Sequence, residues 1–482
     1  MLKATWEAVV GLEVHAQLKT RSKLFSEEAT PTSFNAPVNS RVSVIDAAFP
    51  GVQPSLNKAC VDLAVKTALA LKCKVHQKSC FDRKHYFYPD LPQGYQITQQ
   101  YEPIATGGKI IVDTLDGLDH DLEVKIHQIQ LEQDTGKSSR DLVPGHTLVD
   151  LNRAGTGLIE IVTKPDMRSS KEAGLVVKKL QSILRAVGSC DANMEEGSMR
   201  CDVNVSVRRF GEPFGVRCEL KNLNSIRSLT DGIDAEVARQ IELLESGQPV
   251  KQETRGFDVV RNKTFSLRSK ETAPDYRYMP EPDLPPLLLS QDYIQTAADT
   301  LPELPDKTRD RLLNEYQLDR QAATVLLSHS DMIHYFDQVM ASTTKDAKVV
   351  ANWITHDLFG ILSVRSIPLQ RNPVSPTQLG SLCNVVGEKV SGKVAKSLLQ
   401  RMVDGDSRTA DEIIQSDGLA LDLDEEAVRQ VCQKIMQREP AKVAQSQKNQ
   451  GVKKWFVGQV MRETRGKADA RMVNRVVEGM LT

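Results

Sequence analysis

A chain of 482 residues with 40% hydrophobic and 26% charged residues has the composition of a globular protein of roughly two to four domains, at ~100–200 residues each. No apolar run is long enough to span a bilayer, so membrane insertion is not expected. The 62 basic and 63 acidic residues leave a net charge of −1, so any affinity for nucleic acid must come from local clustering. The cysteines (Cys60, Cys73, Cys80, Cys190, Cys201, Cys218, Cys383, Cys432) include no C-x-x-C pair and read as reduced, buried thiols. The opening residues MLKATWEAVV hold neither a signal-peptide core nor an Arg-rich presequence, so no targeting segment is expected within this chain.

Along the chain, VVGLEVHAQLKT alternates as a strand, with Leu12, Val14, Ala16 and Leu18 on one face and Glu13, His15 and Gln17 on the other. A lone strand histidine is more often structural than a ligand, so the weight of His15 depends on its company. Ser55 to Leu71 reads as a helix with Leu56, Cys60, Ala64 and Ala68 on its inner face. FDRKHYFYPDLPQGYQITQQ, at 81–100, crowds aromatic rings around Pro89, Pro92 and Gly94 and reads as a stiff loop. Its rings either plug a sheet edge or wall a pocket reached by Arg83, Lys84 and His85. VKIHQIQLEQDTGKS alternates again, with Gln128, Gln130 and Glu132 on one side before a turn at Asp134 to Gly136. In LVDLNRAGTGLIEIV, Glu160 shares a strand face with Leu158 and Val162, where a carboxylate is costly unless paired or metal-bound.

Ser169 and Glu172 form a capping-box pattern ahead of a helix with Leu180, Ile183, Leu184 and Val187 inward. Two strands and a turn follow. Cys201, Val203, Val205 and Val207 oppose Asp202, Asn204, Ser206 and Arg208; then Val216, Cys218 and Leu220 oppose Arg217, Glu219 and Lys221. Antiparallel sheets often wet one face, yet Asp and Asn are poor strand formers, so these polar residues point to a task. Ser228 to Glu245 reads as a helix with Gly247 behind it. Pro280, Pro282, Pro285 and Pro286 close a first domain at 1–290, a helical domain follows over 291–370, and RNPVSPTQLG opens an all-helical tail over 371–482. From Lys434 onward eleven basic residues face four acids, a local charge of +7 that suits an RNA backbone or a solvated helical surface.

The chain contains no P-loop, no dinucleotide fingerprint, no H-E-x-x-H and no nucleophile elbow. What remains is a set of strands carrying Glu13, His15, Glu132, Glu160, Asp202 and Glu219. If these share one sheet, their polar faces converge on a hard divalent cation such as Mg2+, which would clamp ATP phosphates, with Lys84, Arg200 and Lys221 steadying the same charge.

VVGLEVHAQLKTRSKLF, FDRKHYFYPDLPQGYQI, LEQDTGK, DLNRAGTGLIEIV, NMEEGSMRCDVNVSV, ELKNLNS and DYRYMPEPDLPPL, in this order, resemble the B subunit of the tRNA-dependent amidotransferase. The resemblance resumes at FVGQVMRETRGKADARMVNRVV, near the end. It implies an α+β fold: a cradle with an antiparallel, glutamine synthetase-like sheet, then a helical domain and an all-α tail that grips tRNA. It further implies ATP-dependent activation, with Mg2+, of the glutamyl carboxylate on misacylated tRNA(Gln). Ammonia would come from glutamine hydrolysed in an amidase A subunit, and a small C- or F-type subunit would hold the two together. Under the resemblance, Glu13, His15, Glu132, Glu160, Asp202 and Glu219 fall in the metal and phosphoryl-transfer site and Lys84 contacts the nucleotide; taken with the residue reading, His15, Glu132 and Glu160 are expected to hold metal, and Arg200 and Lys221 to join Lys84 at the nucleotide.

LEQDTGK and YQITQQ look organellar, which places the protein in the mitochondrial matrix, with the bacterial cytoplasm as the alternative. Two departures stand out: SVIDAAFPG, at 43–51, replaces a C-P-x-C knuckle, so no structural zinc is expected, and Gln93 replaces a lysine found in some members. A non-catalytic tRNA-binding scaffold and a stand-alone ligase for a small acid are the competing readings.

Overall fold

The computed structural model describes residues 5–31, 36–139, 145–269, 275–328, 330–419, 425–446, 450–464, 468 and 470–481. The chain divides into two compact bodies, Met1–Pro305 and Asp306–Thr482.

The first body runs β1 (Trp6–Gln17), α1 (Lys58–Ala70), β2 (Asp82–His85), β3 (Tyr95–Thr98), β4 (Leu122–Gln133), β5 (Gly157–Thr163), α2 (Ser170–Val187), β6 (Met199–Arg209), β7 (Cys218–Leu220), α3 (Ile226–Glu245), β8 (Glu253–Asp258), β9 (Lys263–Ser269) and α4 (Gln291–Asp299), with short strands between. Ten strands build its main sheet, in the order β9-β8-β7-β6-β1-β5-β4, then Ala105–Thr106 and Lys74–Val75, with Lys109–Val112 also on β4. The pairs are antiparallel except β7 with β8, which run parallel. This one parallel pair corrects the expectation of a purely antiparallel sheet: α3 lies between the two strands in sequence, a connection long enough to bring the chain back in the same direction.

Alternation assigns the two faces. Val10, Leu12, Val14 and Ala16 of β1, Ile159 and Ile161 of β5, Ile129 and Leu131 of β4 and Cys201, Val203 and Val205 of β6 are buried in one core with α1, α2 and α3. The opposite face carries the acids. The helices start where caps dictate: Asn57 accepts from the Ala59 N–H, so α1 begins after the expected Ser55. At α2 only half of the capping box forms, because Ser169 accepts from Glu172 N–H while the Glu172 carboxylate turns to the Arg168 N–H, 2.7 Å away. Ser225 caps α3, whose first residue, Ile226, lies two residues before the expected start.

Residues 81–100 are a hairpin rather than a loop. β2 and β3 pair with Lys84 opposite Gln96, the prolines and Gly94 lie in the turn between them, and Met279–Pro280 adds a third strand. The expected strand at Val216 shortens to Cys218–Leu220, leaving Val216 exposed. The first body extends beyond residue 290, since Ile294 and Ala297 of α4 join its core. In the second body, helices between 312 and 414 enclose one apolar core, and Glu425–Arg438, Gln450–Glu463 and Ala470–Leu481 pack a separate one around Phe456, Val460 and Val477. All eight cysteines are unpaired thiols, seven of them buried. No helix among the described residues is long and apolar enough to cross a membrane.

Residues 43–51 are anchored by charge. Lys23 is fully buried, and its Nζ lies 2.8 Å from Asp46 Oδ2 while donating to Arg41 O at 2.7 Å. Gly155, at φ +78°, leaves room for this pair, since a Cβ there would lie 2.1 Å from Asp46 Oδ1. Removing one partner strands a buried charge. Lys23→Met should therefore lower the free energy of unfolding by ~3–5 kcal/mol in urea titrations, and Lys23→Met/Asp46→Leu should recover most of the loss.

Candidate functional site

The strand register builds the site. Gln130 of β4 lies opposite Glu160 of β5, Glu160 opposite His15 of β1, and His15 opposite Arg200 of β6, which makes one row across four strands. In the next row Gln128, Val162, Glu13 and Asp202 are aligned; in the one after, Gly11, Asn204 and Glu219. Because side chains alternate with period two, all of these share the face opposite the helices, and a slip of one residue in any strand would turn its acids into the core.

Two triads share His15: ligand atoms of His15, Glu132 and Glu160 lie within 4.8 Å of one another, as do those of Glu13, His15 and Asp202. His15 Nε2 is 3.7 Å from Glu160 Oε2 and 3.9 Å from Glu13 Oε1. Glu160 is the partnered carboxylate that its apolar strand demanded: Gln130 Nε2 donates to its Oε2 at 2.6 Å. Burial, with the charges of Glu132 and Glu13 beside it, pushes the Glu160 carboxyl well above the usual range. Glu132 goes the other way. Burial opposes its ionisation, but Lys84 and His15 outweigh that and hold it low. Lys84 Nζ, 3.9 Å from Glu132 Oε1, is held in its charged form against burial by Glu132 and Glu160. Lys221 bonds to Asp202 and lies 3.2 Å from Glu219 Oε1. Burial disfavours its charge too, but Asp202 and Glu219 raise its basicity.

A cavity of about 400 Å³ opens over this floor, lined among others by Glu13, Lys84, Glu160, Glu219, Lys221 and Arg217, with Tyr276 and Tyr278 also on its wall. The donor set fits a hard divalent cation: carboxylate oxygens dominate, one imidazole joins them, and Glu132 Oε2 is buried with no hydrogen-bond partner. The Thr98 hydroxyl and the Glu160 carboxyl adjoin the Glu132 carboxylate, and a cation there would take the place of the proton that Glu160 retains beside it.

The register thus brings Glu13, His15, Glu132, Glu160, Asp202 and Glu219 onto one face, while Lys221 follows β7 and Lys84 arrives on the β2–β3 hairpin. Arg200 faces the same side but turns aside, its Nη2 2.8 Å from the buried Asp134, which Arg153 and Gln17 also hold. Arg83 pairs with Glu281 and Asp283, and His85 Nδ1 faces Arg277 O at 3.0 Å, so of the three basic residues on β2 only Lys84 lines the cavity. Sequence reasoning missed Tyr276, Tyr278 and Gln96. The alternation of DYRYMP carries a strand signal for the tyrosines, but the prolines behind it read as a linker; Gln96 is visible only once β2 pairs with β3.

Fold and site together define a class of protein: a sheet-floored cradle of oxygen donors with basic and tyrosine walls, in a chain that continues into an all-helical body. The GatB/GatE catalytic domain family matches residues 8–295, which contain every residue of the cradle, and the GatB domain family matches residues 334–481. The chain is 47% identical over 479 residues to the B subunit of the aspartyl/glutamyl-tRNA(Asn/Gln) amidotransferase of Bartonella tribocorum, covering 98% of this chain and 95% of that protein. It is 47% identical over 477 residues to the protein of the same name in Methylobacterium sp. strain 4-46, and 47% over 483 residues to that of Beijerinckia indica, each alignment covering 99% of this chain and 96% of the relative. The chain belongs to the GatB/GatE family, among the B subunits of tRNA-dependent amidotransferases.

Proposed function

We propose that this chain is the activating subunit of an ATP-dependent amidotransferase that converts Glu-tRNA(Gln) to Gln-tRNA(Gln), a ligase that uses glutamine as its nitrogen donor. One observation carries the reading most: the His15, Glu132 and Glu160 cluster reaches, through Glu160, a cavity that Glu13, Glu219, Lys84 and Lys221 also line. A carboxylate resists ammonia because its leaving group would be oxide; transfer of a phosphoryl group to it supplies a good one. His15, Glu132 and Glu160 would hold Mg2+, with Glu13, Asp202 and Glu219 on its flank. Bound there, the cation would offset the charge of the ATP phosphates.

The chain's own residues do the rest. Lys84 and Lys221 present positive charge to the cavity where anionic charge develops during transfer. Tyr276 and Tyr278 line the cavity, where their rings would shield the activated glutamyl group from water before ammonia arrives. That ammonia would come from an amidase A subunit, with a small C- or F-type subunit completing a heterotrimer. On this reading the first body, to Pro305, is the catalytic cradle, and the tRNA-binding tail belongs to the second body, whose first apolar core runs past residue 370 to Ile414. The relatives described above are bacterial, which supports the bacterial cytoplasm over the mitochondrial matrix.

In the reconstituted complex, Glu160→Ala and His15→Ala should each lower ATP-dependent formation of Gln-tRNA by about 10²-fold or more, while tRNA binding persists. Unchanged turnover in both variants would favour the scaffold reading instead.

A further inference from the structure

We infer that Gln96 is a positioning residue that selects which oxygen of Glu132 is offered to the cation, an inference that rests on the cation reading of the His15, Glu132 and Glu160 cluster. Gln96 is 5% exposed and lies on β3 directly opposite Lys84, so the hairpin delivers two donors to one carboxylate. Its Nε2 donates both to Glu132 Oε1 and to the Gln133 carbonyl, 2.6 Å away. Its Oε1 accepts from the Tyr86 hydroxyl at 2.8 Å.

These three bonds fix the amide in one orientation. Turned over, it would set its oxygen against a carboxylate oxygen and a carbonyl oxygen, and its NH2 would lose both acceptors. Tyr86 reinforces the choice, because burial pushes its phenol well above the usual range and keeps the hydroxyl available as a donor. With Oε1 engaged by Gln96 and approached by Lys84 Nζ at 3.9 Å, Oε2 is the Glu132 oxygen left buried and unpartnered. A free carboxylate could rotate to trade its two oxygens; this one is clamped on one side by a neutral amide, which adds no charge that would compete with a cation. Outer partners of this kind set both the orientation of a metal-binding group and its affinity.

The test is Mn2+ binding to the full chain, read by calorimetry, with no turnover involved. Gln96→Asn keeps the amide but draws it back by one methylene, and Gln96→Met keeps the length but removes the donor. Each should weaken Mn2+ binding by about 10-fold or more, within the ~10–100-fold range of such partners. Tyr86→Phe should give a smaller loss in the same direction. Thermal melts in chelator should show the variants folded at the assay temperature, an outcome that a fold-only role for Gln96 does not couple to lost Mn2+ affinity. Wild-type affinity in both Gln96 variants would overturn the inference; if those variants unfold, unchanged affinity in Tyr86→Phe overturns it instead. Failure of the underlying cation reading looks different: the wild type would not bind Mn2+, or Glu160→Ala would bind it as the wild type does.

Discussion

Lys84→Met should bind a divalent cation more tightly than the wild type and yet turn over about 10²-fold more slowly or worse. The two effects have opposite signs because Lys84 has two roles. In the free chain its ammonium is the counter-charge of Glu132 and Glu160, which keep it protonated although burial works against it. A divalent cation held by the same carboxylates would share them with Lys84, and like charges a few ångströms apart repel by roughly 1–4 kcal/mol in surroundings between water and a protein surface. Removing the ammonium lifts that repulsion, so Mn2+ affinity should rise by about tenfold. The same removal takes positive charge from a cavity in which a transferring phosphoryl group concentrates negative charge, and preorganised charge of that kind accounts for about 10²–10³ in rate. A Mn2+ titration and a single-turnover assay of Gln-tRNA formation separate the effects. Weaker cation binding would make Lys84 a packing residue, and unchanged turnover would remove it from the transfer step.

The legibility of this site follows from the geometry of strands. A period of two is short enough to read in a window of six residues, so Glu13 with His15, Gln128 with Gln130 and Glu132, and Asp202 with Asn204 are assigned to their faces by alternation alone. Alternation is silent on which strands are neighbours. The row that joins Gln130, Glu160, His15 and Arg200 spans residues from β1 to β6, and the family motifs placed Glu160 and His15 in one site where periodicity could not. The losses have equally local causes. Arg200 has the right face, but its long side chain is captured by Asp134, a buried acid that the sequence presents only as the start of a turn. The aromatic segment at 81–100 has arms of four residues, too short to declare themselves against prolines and a glycine, and its pairing with Met279–Pro280 bridges nearly two hundred residues. The helical character of residues 291–482 is legible in the sequence, whereas the division of the second body into two apolar cores is not, because both cores use the same kind of stripe.

Neutralising the exposed cations of the last helices should weaken tRNA binding by about 10–100-fold at moderate salt and leave the cradle intact. Of the eleven basic residues counted from Lys434 onward, Lys448, Arg465 and Lys467 lie outside the described residues. Two more are engaged within the body: Arg438 lies 2.9 Å from Glu463, and Lys442 Nζ sits 3.7 Å from the Trp455 ring centroid. Lys434, Lys454, Arg462 and Arg475 are exposed, on helices whose opposite faces pack around Phe456, Val460 and Val477. Exposed side chains can be changed without disturbing that core, so Lys434→Gln/Lys454→Gln/Arg462→Gln/Arg475→Gln should melt as the wild type does. Each phosphate contact contributes ~0.9 to the slope of log affinity against log salt on a duplex, so losing four should flatten the slope by about 3 to 4. Between 50 and 200 mM salt, four such contacts account for ~10² in affinity. Filter binding of tRNA across that range, with the wild type beside the variant, measures both quantities. The same variant, assayed with saturating tRNA, should keep its rate of ATP-dependent conversion, because nothing in the cradle has changed. A salt slope equal to that of the wild type would mean that the tail is a solvated helical surface and that the RNA is gripped elsewhere.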